Sequence, residues 1–127
     1  MTSRARQQGE LENAVLQVLW DARAAGTPDL SSNEVLERLE SGKDLALTTI
    51  LTVLSRLCEK DLVKRQPGTG RSLLFSSITS REEHDANVML RVLSTSNNPA
   101  LAFSHFAKEL DPQVLELLKQ SLSSNPE

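Results

Sequence analysis

The segment from Thr48 to Lys60 (Thr-Thr-Ile-Leu-Thr-Val-Leu-Ser-Arg-Leu-Cys-Glu-Lys) holds the residues best suited to chemistry. At about 100° per residue, Ile50, Leu51, Leu54, Leu57 and Cys58 gather on one side of a helix, with Val53 at its margin. Thr48, Thr49, Thr52, Ser55, Arg56, Glu59 and Lys60 gather on the other. Short hydroxyl side chains let a helix sit deep in the major groove of DNA. Threonine offers a methyl to thymine and a hydroxyl to base or phosphate, while arginine pairs bidentately with guanine. An ordinary solvated face is the alternative. Such faces usually carry Glu, Lys and Gln, because threonine is a poor helix former.

Cations follow this helix. Lys64, Arg65 and Arg71 lie around a turn-rich stretch, Gln66-Pro67-Gly68-Thr69-Gly70-Arg71, where they could reach phosphates beside the groove. Such contacts fix position and affinity without reading sequence. The start of an earlier helix, Ser31-Ser32-Asn33, offers free amides as a second phosphate-binding candidate through Ser32.

The remaining reactive residue types favour structural roles. Glu109 follows His105 by one helical turn, but two ligands do not make a metal site. Cys58 falls on the apolar face as a small core residue, and Trp20 reads as a core anchor. The chain carries no Gly-rich phosphate loop, nucleophile elbow or metalloprotease pattern. The expectation is a non-enzyme with no cofactor and no metal.

The elements that position these residues can be read in order. Leu11, Ala14, Val15, Val18 and Leu19 recur at helical spacing over about Gly9 to Arg23, and Gly26-Thr27-Pro28-Asp29 breaks the pattern. Ser31 with Glu34 forms a capping-box pattern opening a second helix, which buries Val35, Leu36 and Leu39 and closes at Ser41-Gly42. The third helix runs from Thr48, as N-cap, to Lys60. Leu62–Arg65 and Ser72–Phe75 are short strand candidates. Three helices and then a hairpin with a basic tip is the order of a winged helix-turn-helix, so the fold class is mainly α with a small β-hairpin wing.

Beyond the hairpin, Ser80 and Glu83 repeat the capping-box pattern and open a helix to about Leu93. Pro99 and Asp111-Pro112 start two more, and the chain should fray from Ser123. This divides the chain into a winged-helix domain over 1–79 and a helical region over 80–127.

Composition agrees. Hydrophobic residues at 39% and charged residues at 24% are the balance of a soluble globular protein. No apolar run approaches the roughly 20 residues of a membrane span. The polar, basic Met1–Gln8 is unlike a signal peptide and a single cysteine forms no internal disulfide, so the expected compartment is the cytoplasm, without membrane insertion. Net charge is −3, yet Arg56 to Arg81 holds six basic residues against two acidic ones, and the sign reverses after Arg81. A basic middle suits an anionic partner, and the acidic tail suits something else.

Three segments resemble the BlaI/MecI penicillinase-repressor family. They are Leu11-Glu12 followed by Val18-Leu19-Trp20, the run Thr48 to Leu57, and Lys60 with Leu62-Val63-Lys64-Arg65. Gly70-Arg71 before a strand ending in Phe75 fits as well, where the family usually has tyrosine. Asp61 replaces the usual glycine after the third helix, and aspartate tolerates the left-handed conformation required there.

The resemblance implies a dimeric winged-helix repressor on palindromic operators, controlling beta-lactamase or envelope-stress genes. It also implies release from DNA through a membrane metalloprotease pathway that ends in cleavage of the C-terminal region. His105-Phe106 best matches the cleaved Asn-Phe pair, with Ala102-Phe103 the other register, and neither carries the asparagine. The cysteine-rich tail of the copper-responsive branch is missing.

The tail helices carry Val88, Met89, Val92, Leu101, Phe103, Phe106, Val114, Leu117 and Leu118. So short a tail should not bury this surface against itself, and pairing with a second copy would cover it. The alternative folds the tail back onto its own winged helix as a monomer. The functional expectation is a sequence-specific repressor binding double-stranded DNA as a homodimer at an inverted repeat. A winged-helix module that binds protein rather than DNA is the alternative.

Overall fold

The computed structural model describes residues 4–39 and 44–123. Its elements run α1 (Arg4–Ala24), α2 (Ser32–Arg38), α3 (Leu47–Glu59), β1 (Val63–Pro67), β2 (Leu73–Ser77), α4 (Arg81–Ser94), α5 (Pro99–Glu109) and α6 (Pro112–Ser123). Three helices followed by an antiparallel two-stranded hairpin make this a winged helix, mainly α with a small β wing, as the sequence leads one to expect. No helix among the described residues is long and apolar enough to cross a membrane.

The chain forms two compact units, Met1–Asp85 and Ala86–Glu127. In the first, Val15, Leu16, Leu19 and Ala22 of α1 meet Val35 of α2 and Ile50, Val53, Leu54 and Leu57 of α3. Leu30, Leu39, Val63 and Phe75 complete the core. Val15, Leu19, Val35, Ile50, Leu54 and Leu57 are wholly inaccessible, so trimming any of them removes apolar contacts with no solvent to compensate.

Local sequence sets most boundaries. Ser31 Oγ accepts the Glu34 N–H and Glu34 Oε1 accepts the Ser31 N–H, closing the capping box at the start of α2. The same reciprocal pair, Ser80 and Glu83, opens α4. Asn98 Oδ1 caps α5 ahead of Pro99, and Asp111 Oδ1 takes the Gln113 and Val114 amides of α6.

The end of α3 is equally defined. Leu62 N–H reaches back to Leu57 C=O and Asp61 N–H to Cys58 C=O, with Asp61 at φ 62°. This is a Schellman motif. It delivers the chain into β1 with Leu62 folded against the core.

Several sequence expectations need correction. α1 begins at Arg4 rather than near Gly9. Thr48 is not the N-cap of α3: Ala46 holds that position, its carbonyl accepting from Thr49 and Ile50. α2 ends at Arg38, and the Ser41-Gly42 stop lies outside the described residues, as do the residues past Ser123 where fraying was expected. On α3 the buried arc is rotated from the one periodicity suggests: Val53, expected at the margin, is in the core, and Leu51, at the opposite edge, is exposed. Trp20 is only partly buried, at the rim of the core rather than within it.

The strands are displaced by one or two residues from their expected bounds. β1 and β2 pair in the register Val63 with Ser77, Arg65 with Phe75 and Pro67 with Leu73. Leu30 adds a bridge to Phe75 on the other edge of β2, with backbone hydrogen bonds of 2.9 and 2.7 Å. β2 is thereby flanked on both edges.

In the second unit no residue of α5 or α6 is buried. Val92 is 67% exposed, Phe103 55%, Phe106 50% and Leu117 62%.

Candidate nucleic-acid interface

The exposed side of α3 carries Thr48, Thr49, Thr52 and Ser55, together with Leu51 and Glu59. Arg56, half-buried, borders it and is itself engaged in an interaction. Thr52 Oγ1 donates to Thr48 C=O at 3.0 Å, which holds the hydroxyl hydrogen inside the helix and leaves the oxygen as an acceptor. The burial of Ile50, Val53, Leu54 and Leu57 on the opposite side fixes the helix rotation, and that in turn determines which residues face outward.

Lys60, at the end of α3, places Nζ 2.7 Å from Glu12 Oε1 of α1. Its remaining N–H groups are available for other acceptors, since an ammonium has three.

The wing tip is shaped by two glycines. Gly70 sits at φ 64°, and a Cβ on Gly68 would stand 2.8 Å from Ser72 Oγ and 3.0 Å from Leu74 Cγ. Gly68 N–H donates to Ser72 C=O at 2.9 Å, closing the turn. Arg71 is exposed on this tip, and Lys64 and Arg65 are exposed on β1.

Ser32 is half-buried as the first residue of α2. The Glu34 carboxylate already occupies that end of the helix, so an approaching phosphate would meet a like charge. His105 and Phe106 are both exposed on α5, as are Val88, Met89, Val92, Leu101, Phe103, Val114, Leu117 and Leu118 on their helices.

One cluster had no signal in the sequence. Trp20 and His84 lie with ring centroids 5.1 Å apart, Arg81 sits over Trp20 at 5.9 Å, and Arg81 Nη1 donates to Gln17 Oε1 at 2.8 Å. Arg23 Nη1 donates to Ser77 C=O at 3.0 Å nearby. The Trp20, His84, Arg81 and Gln17 contacts hold the first turn of α4 on α1, while the Arg23 bond ties α1 to the end of β2; the partners are 54 to 64 positions apart.

A penicillinase repressor family model matches residues 8–124. The chain belongs to the penicillinase repressor family. It is 31% identical over 118 residues to the transcriptional regulator BlaI of Mycobacterium tuberculosis, in strains CDC 1551 / Oshkosh and ATCC 25618 / H37Rv, covering 91% of this chain and 82% of the relative. Among solved structures, an apo double mutant of Lactococcus lactis ZitR matches at 17% identity with a TM-score of 0.45, over 94% of this chain and 82% of that one. Family membership carries the coarse function, that of a BlaI-like transcriptional repressor.

Proposed function

We propose that the chain binds double-stranded operator DNA as a homodimer and represses transcription by occupying an inverted repeat. α3 enters the major groove with Thr48, Thr49, Thr52, Ser55 and Arg56 toward base edges. Arg65, Arg71 and Lys60 contact the flanking phosphates. The observation that carries this reading is the hydroxyl-rich exposed side of α3, placed by a rigid core beside a wing whose exposed residues include Lys64, Arg65 and Arg71.

Residues 1–79 act as the reading domain and 80–127 as the dimerisation region. The support for dimerisation is the apolar surface of α4, α5 and α6, which a second copy would cover. Two reading helices would then meet half-sites roughly 34–36 Å apart, or a multiple of that. The chain works without enzymatic activity, cofactor or metal. Resemblance to the family supports, as part of this reading, control of beta-lactamase or envelope-stress genes and release by cleavage at His105-Phe106 downstream of a membrane metalloprotease, although His105 stands where the usual asparagine would be. The exposure of that pair on α5 is compatible with cleavage.

A mobility-shift assay against the chain's own upstream region tests the reading. A discrete shift that survives excess random duplex, and that requires both half-sites, is the expected result. Equal affinity for random duplex would refute it.

A further inference from the structure

Leu51 departs from the rest of α3. It is 39% exposed, whereas Ile50, Val53, Leu54 and Leu57 lie in the core. Leu36, Leu45, Cys58 and Leu62 pack against that core as partly buried residues, and Leu51 is outside this set. A single exposed leucine on a protein surface is ordinary. Its position on this helix is what gives it meaning.

Thr48 precedes Leu51 by three residues and Ser55 follows it by four, so both are its neighbours on the helix surface. Leu51 therefore extends the side of α3 that carries the hydroxyls. That side also has fewer donors than its composition suggests, because the Thr52 hydroxyl hydrogen is directed into the Thr48 carbonyl. Glu59, on the same side, repels phosphate. A large apolar side chain in such a setting suits an apolar partner, and the groove wall offers one: the thymine C5-methyl, which no other base carries.

We propose that Leu51 is a specificity-determining residue that packs against a thymine methyl in each half-site. The inference rests on the placement of α3 in the major groove proposed above. It adds a large apolar side chain to the smaller methyls and hydroxyls of the threonines and to the guanidinium of Arg56.

The test starts by selecting preferred duplexes from a randomised pool with the full chain. Each selected thymine is then replaced by deoxyuridine, which lacks only the methyl. One position per half-site should lose about fourfold in affinity, the worth of one buried methyl. In Leu51→Ala the same replacement should have no effect, and selection should no longer favour thymine there. Leu51→Met, which keeps the apolar reach, should retain the sensitivity.

If no thymine is sensitive in the unaltered protein, or if the sensitivity persists in Leu51→Ala, Leu51 is not the reader, while α3 still reads the groove. If the pool yields no preferred sequence, the groove placement fails, and the role of Leu51 fails with it.

Discussion

Lys60 Nζ lies 2.7 Å from Glu12 Oε1, tying the residue that caps α3 to the side of α1. The Glu12 side chain is 13% exposed and that of Lys60 55%, so one partner is sheltered and the other is largely screened by solvent. Glu12→Gln should cost below about 1 kcal/mol. A double-mutant cycle with Lys60→Ala, read by thermal unfolding, isolates the coupling. If Lys60 also meets phosphate, Lys60→Ala should make the salt dependence of DNA binding shallower by about one contact. An unchanged slope would leave Lys60 as a brace alone.

Arg56 and Arg71 should separate in their effects. Arg56→Ala should cost about 1–3 kcal/mol at the preferred duplex and relax its sequence preference. Arg71→Ala should weaken all duplexes alike and reduce the salt slope. Titrations of specific and random DNA at several salt concentrations check both, and a uniform loss for Arg56→Ala would place its guanidinium on phosphate.

The second unit invites a direct test of self-association. Phe106 is 50% exposed and Leu117 62%, so a charge at either site should leave each helix intact. Phe106→Glu and Leu117→Asp should sediment as monomers with unchanged helical signal and bind the inverted repeat more weakly than the unaltered chain. A substituted chain that still sediments as a dimer would move the interface elsewhere.

Much of the fold was legible because its signals are local. Ser31 with Glu34, Ser80 with Glu83 and Asp111-Pro112 announce their helices within four residues, and each forms the cap its pattern implies; Pro99 announces α5, though its cap, Asn98, was visible only in the structure. The same holds for Asp61, whose tolerance of positive φ is a property of its own side chain. What escaped is long-range. The Leu30–Phe75 bridge, the Lys60–Glu12 pair and the Trp20–His84 contact join residues 45 to 64 positions apart, with no periodicity to announce them. Leu51 was misassigned for a related reason. A 3.6-residue period shows that one side of a helix is buried, but where the edges of that side fall depends on the neighbouring elements. Thr48 lost the cap position because the start of α3 lies two residues earlier, with Ala46 as the cap and Leu47 as the first helical residue.

Acid should loosen the start of α4. The Glu83 carboxyl is held below its ordinary value, chiefly by the Ser80 backbone N–H and then by the Ser80 side chain, with Arg23 adding a smaller attraction. A depressed carboxylate stabilises the fold above its unfolded-state value, and that contribution disappears as pH falls through the folded value. Trp20 is the chain's one tryptophan and contacts His84 in the next residue's turn, so its fluorescence reports this joint. The emission should change at lower pH than an unperturbed glutamate would titrate, and Ser80→Ala should move the change upward. An emission profile identical in Ser80→Ala would detach the titration from the cap.

The Schellman motif at Lys60–Leu62 leaves just three residues between the last turn of α3 and the first residue of β1, all committed by hydrogen bonds or core contact. One extra residue there would turn everything downstream by about 100° if the helix absorbed it, or break the motif if it did not. Homologous chains should therefore vary little in length across this joint. The tip of the wing is another matter: Thr69, Gly70 and Arg71 are exposed, and loop tips of small polar residues accept insertions readily. Length changes across the family should collect at that tip, where a longer or shorter finger alters how far along the DNA backbone the protein reaches without disturbing the helix that reads it.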